Sequence, residues 1–316
     1  MKICVLDGYT VNPGDLDWGE ISCQGEFHLY DRTSPAEVLD RAKGMDAVLL
    51  NKVVLRKEHL EALPELKYVG VLATGYNNVD VAEATRRGVV VTNIPAYSTD
   101  SVAQLVFAHV LNIYARVSDY SSSVRRGDWA GCADFTYQLA PIHELSGKVM
   151  GIVGLGHIGM AVAKIANAFG MKVCAYTSKD ELPDWICRCT LDELFTVADV
   201  LSLHCPLTEG TAGMVDARRL AMMKRDAVLI NTGRGPLVNE ADLAAALDSG
   251  SIMAAGLDVL SSEPPSADNP LLHARNCFIT PHVAWATVEA RTRLMRIAAH
   301  NLAQFAAGVA VDNRVG

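Results

Sequence analysis

Short apolar runs alternating with amphipathic stretches set the organisation of this chain. Over residues 1–96 the runs fall at 2–6, 26–30, 47–50, 68–72 and 89–92, each of strand length, with helical periodicity between them. One helix is opened by Ser34-Pro35-Ala36-Glu37: an N-cap, a proline at the first helical position and a glutamate to complete a capping box. Another spans 80–87 and stops at Gly88. Such alternation predicts a parallel sheet with helices on both faces, a small α/β domain.

After Asn93-Ile94-Pro95 the pattern changes. Ser98 or Thr99 caps a helix whose apolar face holds Val102, Leu105, Val106 and Val110, and the helix is expected to run to about Val124. That length suits a connector between domains. Residues 127–146 read as a loop covering part of the second domain. From Lys148 onward strands are predicted at 149–153, 172–176, 200–204, 227–231, 254–257 and 277–280. Helices fill the gaps, including 216–223 and 240–247, the latter set between an Asn239 cap and a Gly250 stop. Six such strands meet the requirement of a full dinucleotide-binding sheet. A last helix over 287–307 is too long to serve this sheet alone and is expected to return to the first domain. The predicted fold is α/β, with two doubly wound parallel-sheet domains and no sequence repeat relating them.

The first candidate chemistry lies at 149–159. An apolar strand runs into Gly154-Leu155-Gly156-His157-Ile158-Gly159 and then a helix. Gly154 allows the tight turn, Gly156 lets the backbone approach a pyrophosphate, and Gly159 permits close packing of helix on strand. The unpaired amides and positive dipole end of that helix favour an anion. In open parallel sheets ligands bind at the carboxyl ends of strands, so the residues that follow each strand are the candidates. After 227–231 comes Thr232-Gly233-Arg234-Gly235. After 254–257 come Asp258 and Glu263-Pro264-Pro265, and after 277–280 comes Pro281-His282. An arginine fork matches a carboxylate and polarises its neighbouring carbonyl. Histidine, with an ordinary pKa near ~6.5, can deliver a proton as hydride reaches carbon, and a glutamate touching it would stabilise the imidazolium. Arg234, His282 and Glu263 therefore suit hydride transfer to an α-keto acid.

Composition narrows the setting. A chain of 316 residues accommodates two domains, and 50% hydrophobic with 20% charged residues is globular. A net charge of −8 argues against a nucleic-acid partner held through phosphates. No run approaches the ~20 apolar residues of a membrane span. Met1-Lys2 leads straight into an apolar strand, too short for a signal-peptide core, so a cytoplasmic location is expected. The eight cysteines fit that compartment. Cys4, Cys174, Cys205 and Cys277 lie in or beside strands as small hydrophobes. The Cys187-x-Cys189 pair has no second pair or histidine cluster to complete a zinc set, and no metal site is expected.

The glycine loop, His204-Cys205-Pro206-Leu207-Thr208, Asn231-Thr232-Gly233-Arg234-Gly235, Gly256-Leu257-Asp258-Val259, Glu263-Pro264 and Thr280-Pro281-His282 together resemble the D-isomer-specific 2-hydroxyacid dehydrogenases. The resemblance covers nearly the whole chain. It implies an NAD(P)-dependent oxidoreductase with Arg234, Glu263 and His282 catalytic. It also implies a Rossmann cofactor domain (98–286) inserted into a flavodoxin-like substrate domain (1–97 and 287–316). By the same resemblance, Ala73, Thr74 and Gly75 bind the substrate carboxylate, Ser101 and Val102 lie near the nicotinamide, and Asp258 holds its carboxamide. His204, Cys205 and Pro206 line the cofactor, with Thr232, His157 and Ile158 in the cofactor motifs.

One departure concerns cofactor choice. Where an acid usually bonds the ribose 2′-hydroxyl, this chain has Thr177-Ser178-Lys179. Lys179 is placed to meet a 2′-phosphate, so NADP(H) is slightly preferred over NAD(H). Within the family, Asp-Gly-Tyr-Thr near the N-terminus, Ala-Tyr-Ser-Thr-Asp-Ser and Pro-His-Val-Ala-Trp-Ala-Thr most resemble glycerate dehydrogenases, also called hydroxypyruvate reductases. The expected reaction is hydroxypyruvate to D-glycerate, with glyoxylate as a smaller substrate. Rival readings are another D-2-hydroxyacid dehydrogenase, of the D-lactate or phosphoglycerate type, and a cofactor-sensing, corepressor-like binding protein. The absence of an appended regulatory domain disfavours the phosphoglycerate type, and the absence of long tails favours the enzyme. The family implies a homodimer, for which the helix from Ser98 and the loop after it would supply the surface.

Overall fold

Strands β1 (Lys2–Val5), β2 (Glu26–Leu29), β3 (Ala47–Leu50), β4 (Tyr68–Val71) and β5 (Val90–Thr92) pair in parallel. In the computed structural model, which describes residues 1–316, their spatial order is β2-β1-β3-β4-β5. That is the flavodoxin-like winding. Every residue of β3 and β4 is buried, as helices on both faces of a parallel sheet require. Local signals place the connections. The Ser34–Glu37 capping box forms, Glu37 Oε2 accepting from the Ser34 amide (2.9 Å) and hydroxyl (2.6 Å). Asp80 caps the helix Val81–Arg86 through the Glu83 amide (3.0 Å), and Gly88 at φ +76° ends it.

The C-terminal segment completes this unit, which comprises Met1–Ser98 and Trp285–Gly316. Helix Val288–Ala306, capped by Thr287, buries Ala290, Leu294, Ala298 and Leu302 at four-residue spacing against Ile3, Leu49 and Tyr68. Arg291, buried on this helix, meets Asp15 with both Nη atoms (2.7 and 2.6 Å). A final pair, Arg314–Val315, adds an antiparallel edge strand beside β5 that the sequence pattern did not reveal.

The second unit, Thr99–Ala284, holds a parallel sheet of seven strands. They are β6 (Val149–Val153), β7 (Lys172–Tyr176), β8 (Ile186–Arg188), β9 (Val200–Leu203), β10 (Val228–Asn231), β11 (Ala254–Leu257) and β12 (Cys277–Ile279). Their order, β8-β7-β6-β9-β10-β11-β12, is the Rossmann winding with one added strand. Six strands were expected; β8 is the difference. It has three residues, two of them exposed, so it carries no apolar run and exists through its pairing with β7. Winding reverses between β6 and β9, which places the ligand crevice at their carboxyl ends.

Two expectations of length change. Helix Thr99–Ala115 packs Ala103, Val106, Phe107 and Val110 onto the sheet, but it ends where burial ends. Arg116 takes a left-handed conformation (φ +53°), and a separate helix follows at Val117–Arg125. That second segment is rich in serine, which competes with helical hydrogen bonding, and Val117 is 65% exposed. The helix expected over 216–223 shortens to Ala217–Leu220, with Asp216 as its cap. The loop from Gly127 is also unlike the expected cover. Leu145 reaches the core, whereas Trp129, Phe135, Leu139 and Ile142 are exposed, Phe135 by 89%.

Candidate active site

The crevice begins at the end of β6. Gly154 adopts φ +92°, and a Cβ there would stand 2.7 Å from both the Cys205 amide nitrogen and the His204 carbonyl oxygen. Only glycine lets the loop pass the end of β9 at this distance. A Cβ on Gly159 would meet the Gly154 carbonyl oxygen at 2.1 Å, so the first turn of helix His157–Ala168 lies hard against the strand end. Gly156, the N-cap, faces open space instead. Its backbone is bare toward a pocket of about 390 Å³ bounded by Gly154–Gly156, by Tyr176–Lys179 after β7 and by His204–Pro206 after β9. Among the expected cofactor residues, Gly154, Gly156, Thr177, Ser178, Lys179, His204, Cys205 and Pro206 line this one pocket. His157, Ile158 and Gly159 form the adjoining helical turn, and Ile158 packs on the core beneath it.

The electrostatics suit a dinucleotide. No carboxylate stands at Thr177, whose hydroxyl accepts from the Lys179 amide (3.3 Å). Arg188, a residue the sequence reading missed because it sits on β8, donates to the carbonyls of Thr177 (3.1 Å), Lys179 and Asp180 (3.0 Å) and so fixes this loop. His204 contacts the Ser202 hydroxyl through Nε2 (2.8 Å), and burial pushes its imidazole down to about 4, keeping it neutral. Thr232, just past β10, is buried with a hydroxyl that has no partner. A bare glycine backbone at the switch point and an orphaned hydroxyl just past neighbouring β10 both fit a nicotinamide dinucleotide.

Beyond β10 to β12 lie the three candidate catalytic side chains. The buried Asn231 amide spans the first turn, accepting from the Gly233 amide (3.0 Å) and donating to the Arg234 carbonyl (2.9 Å). Arg234 itself is exposed, and its guanidinium bonds the Gly233 carbonyl (2.8 Å); no ion pair joins it to Glu263 or His282. Glu263 and His282 do come together. Glu263 Oε2 meets His282 Nδ1 at 2.6 Å while Oε1 accepts from the Leu260 amide (3.1 Å). Because Nδ1 faces a carboxylate it carries the hydrogen, which leaves Nε2 free to accept or give a proton. Glu240 steadies the glutamate's segment by accepting from the Ser261 amide (2.6 Å) and the Asn269 amide side chain (2.8 Å).

Asp258 organises the histidine's loop. It is 1% exposed; Oδ1 accepts from the Thr280 hydroxyl (2.6 Å) and the Val283 amide (2.9 Å), and Oδ2 from the Ala284 amide (2.8 Å). Its backbone carbonyl accepts from the His282 amide (2.8 Å), holding that residue at φ +53°. Behind it, His109 Nε2 lies 3.3 Å from the Thr280 hydroxyl, and burial lowers the His109 pKa against the pull of Asp258. Ser101 and Val102 are buried at the start of helix Thr99–Ala115, Ser101 donating to the Ala284 carbonyl. Asn231, Glu240, Thr280 and His109 were not singled out from sequence. Asn231 and Thr280 stood inside quoted motifs, but their roles are side-chain contacts that spacing does not reveal.

In the first unit, Ala73 is buried and the Thr74 hydroxyl donates to the Ile94 carbonyl (2.8 Å), while Asn93 Nδ2 donates to the Thr74 carbonyl (2.8 Å). The amides of Thr74 and Gly75 have no hydrogen-bond acceptor within the unit.

Comparison with known proteins decides the family. The model of the D-isomer specific 2-hydroxyacid dehydrogenase NAD binding domain matches residues 107–284. The chain belongs to this family. The dehydrogenase is 48% identical over 318 residues to a hydroxypyruvate reductase of Blautia hydrogenotrophica, covering 99% of each chain. It also superposes along its whole length on two solved structures. One is the acyclic imino acid reductase Bsp5 with NADPH and D-Arg (TM-score 0.86, 31% identity, 100% of both chains). The other is D-lactate dehydrogenase with NAD+ from Lactobacillus jensenii (TM-score 0.82, 29% identity, 100% of both chains). The dehydrogenase is therefore an oxidoreductase that uses a nicotinamide cofactor.

Proposed function

We propose that this dehydrogenase reduces hydroxypyruvate to D-glycerate, accepts glyoxylate as a smaller substrate, and prefers NADP(H) slightly over NAD(H). The observation that carries the chemistry is the 2.6 Å contact of Glu263 with His282 Nδ1. It fixes the ring and leaves Nε2 to exchange a proton with the substrate oxygen. When bound, the nicotinamide supplies or accepts the hydride. In reduction, protonated His282 gives its Nε2 proton to the carbonyl oxygen, and the Glu263 carboxylate stabilises the imidazolium beforehand. Arg234, free of other carboxylates, holds the substrate carboxylate and polarises the adjacent carbonyl. The Thr74 and Gly75 amides are candidates for the same carboxylate. In oxidation, neutral His282 accepts the hydroxyl proton.

For the cofactor we assign the pyrophosphate to the Gly154–Gly156 loop and the adenosine ribose to Thr177–Lys179. We likewise assign Thr232 and Val102 to the nicotinamide, and Asp258 to its carboxamide through the lone pair left on Oδ2. The NADP(H) preference rests on Lys179 and on the missing acid at Thr177. The hydroxypyruvate assignment is supported by the Blautia relative. We also assign a cytoplasmic location and a homodimer, the latter from the exposed apolar side chains of the segment after Arg116. No helix is long and apolar enough to cross a membrane. A panel of 2-keto acids scored by kcat/KM with NADPH and NADH tests substrate and cofactor together. Hydroxypyruvate is expected to rank first with NADPH ahead. Pyruvate or a branched keto acid far ahead of it would overturn the substrate, and a strong NADH preference would remove the role of Lys179.

A further inference from the structure

A cluster of thiols stands at the far edge of the second sheet, and spacing along the chain shows only part of it. Cys187 and Cys189 are two apart on and just beyond β8, so the strand pleat turns both to one face. The β7–β8 register sets Cys174 directly beside Cys187. Parallel neighbours in register share a face, and the three sulfurs accordingly lie within 4.8 Å of one another. The expectation of no metal site considered Cys187 and Cys189 without this third partner. We propose that Cys174, Cys187 and Cys189 form a three-thiolate site for monovalent copper.

The backbone that carries these sulfurs is held in advance. Ladder bonds tie β8 to β7, and the Cys189 amide continues the ladder to the Ala175 carbonyl (3.0 Å). Arg188, between the two cysteines, reaches in the opposite direction to the carbonyls of Thr177 and Asp180. Cys174 and Cys189 rest against the hydrophobic core, while Cys187 is open to solvent and gives the ion its way in. Metal–sulfur bonds of ~2.3 Å to a common ion need sulfurs about 4 Å apart, within reach of small side-chain rotations here. Softness selects the ion: thiolates favour monovalent copper and zinc over harder cations. Ligand number then separates those two. Structural zinc takes four protein ligands. No carboxylate or imidazole joins the three sulfurs as a fourth ligand, and Glu193 keeps Oε2 on the Thr190 amide and hydroxyl (both 2.8 Å). Three sulfurs alone satisfy copper(I). Binding exchanges three S–H bonds for three Cu–S bonds and releases the thiol protons to solvent, with copper unchanged in oxidation state.

The test is an anaerobic titration of the reduced full-length protein with copper(I) against a chromophoric copper(I) chelator, bathocuproine disulfonate. The parent is expected to withhold one equivalent and to develop thiolate-to-copper charge-transfer absorption in the ultraviolet. Replacing outer-shell partners of a metal typically weakens binding 10–100-fold, so Cys187→Ser and Cys189→Ser, each losing a ligand, should weaken it at least ~100-fold. Cys23→Ser, an exposed thiol elsewhere, should retain the parent affinity. Far-UV circular dichroism confirms that each variant is folded, which the exposure of Cys187 favours. Failure to hold copper against the chelator, or retention undiminished in both Cys187→Ser and Cys189→Ser, would overturn the site. Zinc held as tightly as copper(I) would overturn the choice of ion.

Discussion

Asp258→Asn tests the claim that one buried carboxylate holds the loop carrying His282. The carboxylate takes three hydrogen bonds, from the Thr280 hydroxyl and Val283 amide on one oxygen and the Ala284 amide on the other. Asparagine keeps one oxygen. With that oxygen on the Thr280 side, its NH2 confronts the Ala284 N–H, donor against donor, at a residue 1% exposed. A buried donor left unsatisfied costs ~1–3 kcal/mol. The surviving bonds lose their ionic character, which roughly halves their strength and adds about 1 kcal/mol. The variant should therefore lose about 2–4 kcal/mol of stability. Urea denaturation at neutral pH measures this as a lower midpoint at unchanged slope. Amide exchange at Val283 and Ala284 should accelerate with it. Activity follows geometry: displacement of His282 by ~1 Å is worth up to ~100-fold in kcat. A loss under ~0.5 kcal/mol with kcat unchanged would refute the role given to this side chain.

Further predictions concern His204 and assembly. With the folded imidazole near 4 and an unfolded value near ~6.5, the unfolded chain binds the proton first. The contribution of His204 is thus fully present above pH ~6.5 and lost as pH falls toward 4, by roughly 3 kcal/mol at most. His204→Gln should flatten the parent's loss of stability across that window, and an identical pH dependence in the variant would contradict it. In sedimentation equilibrium the parent should be a dimer, and Trp129→Ser with Phe135→Ser should shift it toward monomer. An unshifted dimer would move the interface elsewhere.

Much of this architecture was legible because burial and sequence pattern coincide. β3, β6 and β11 are apolar throughout, β7 is apolar between Lys172 and Tyr176, and all four appear at the residues the pattern indicated. The caps at Ser34, Asp80 and Asn239 and the stop at Gly250 work through local side-chain and backbone chemistry, which a linear sequence displays. What stayed hidden depends on partners far along the chain. β8 has no apolar run and needs β7. The break at Arg116 reflects loss of a surface to pack on, with Val117 left exposed. At the site, the strand-end rule placed Arg234, Glu263 and His282 after β10, β11 and β12. The contact of Glu263 with His282 could only be conditional until the loops were seen. Asp258 drew notice through family resemblance, but its three bonds to the 280–284 loop follow from no spacing rule.

The central claim is that His282 Nε2 exchanges the proton at the substrate oxygen. Steady-state reduction of hydroxypyruvate by NADPH, compared between the parent and His282→Asn, tests it most directly. Positioned general acids contribute ~10²–10⁴-fold, so kcat should fall by that factor while NADPH still binds. A variant whose kcat stays within about tenfold of the parent would contradict the assignment.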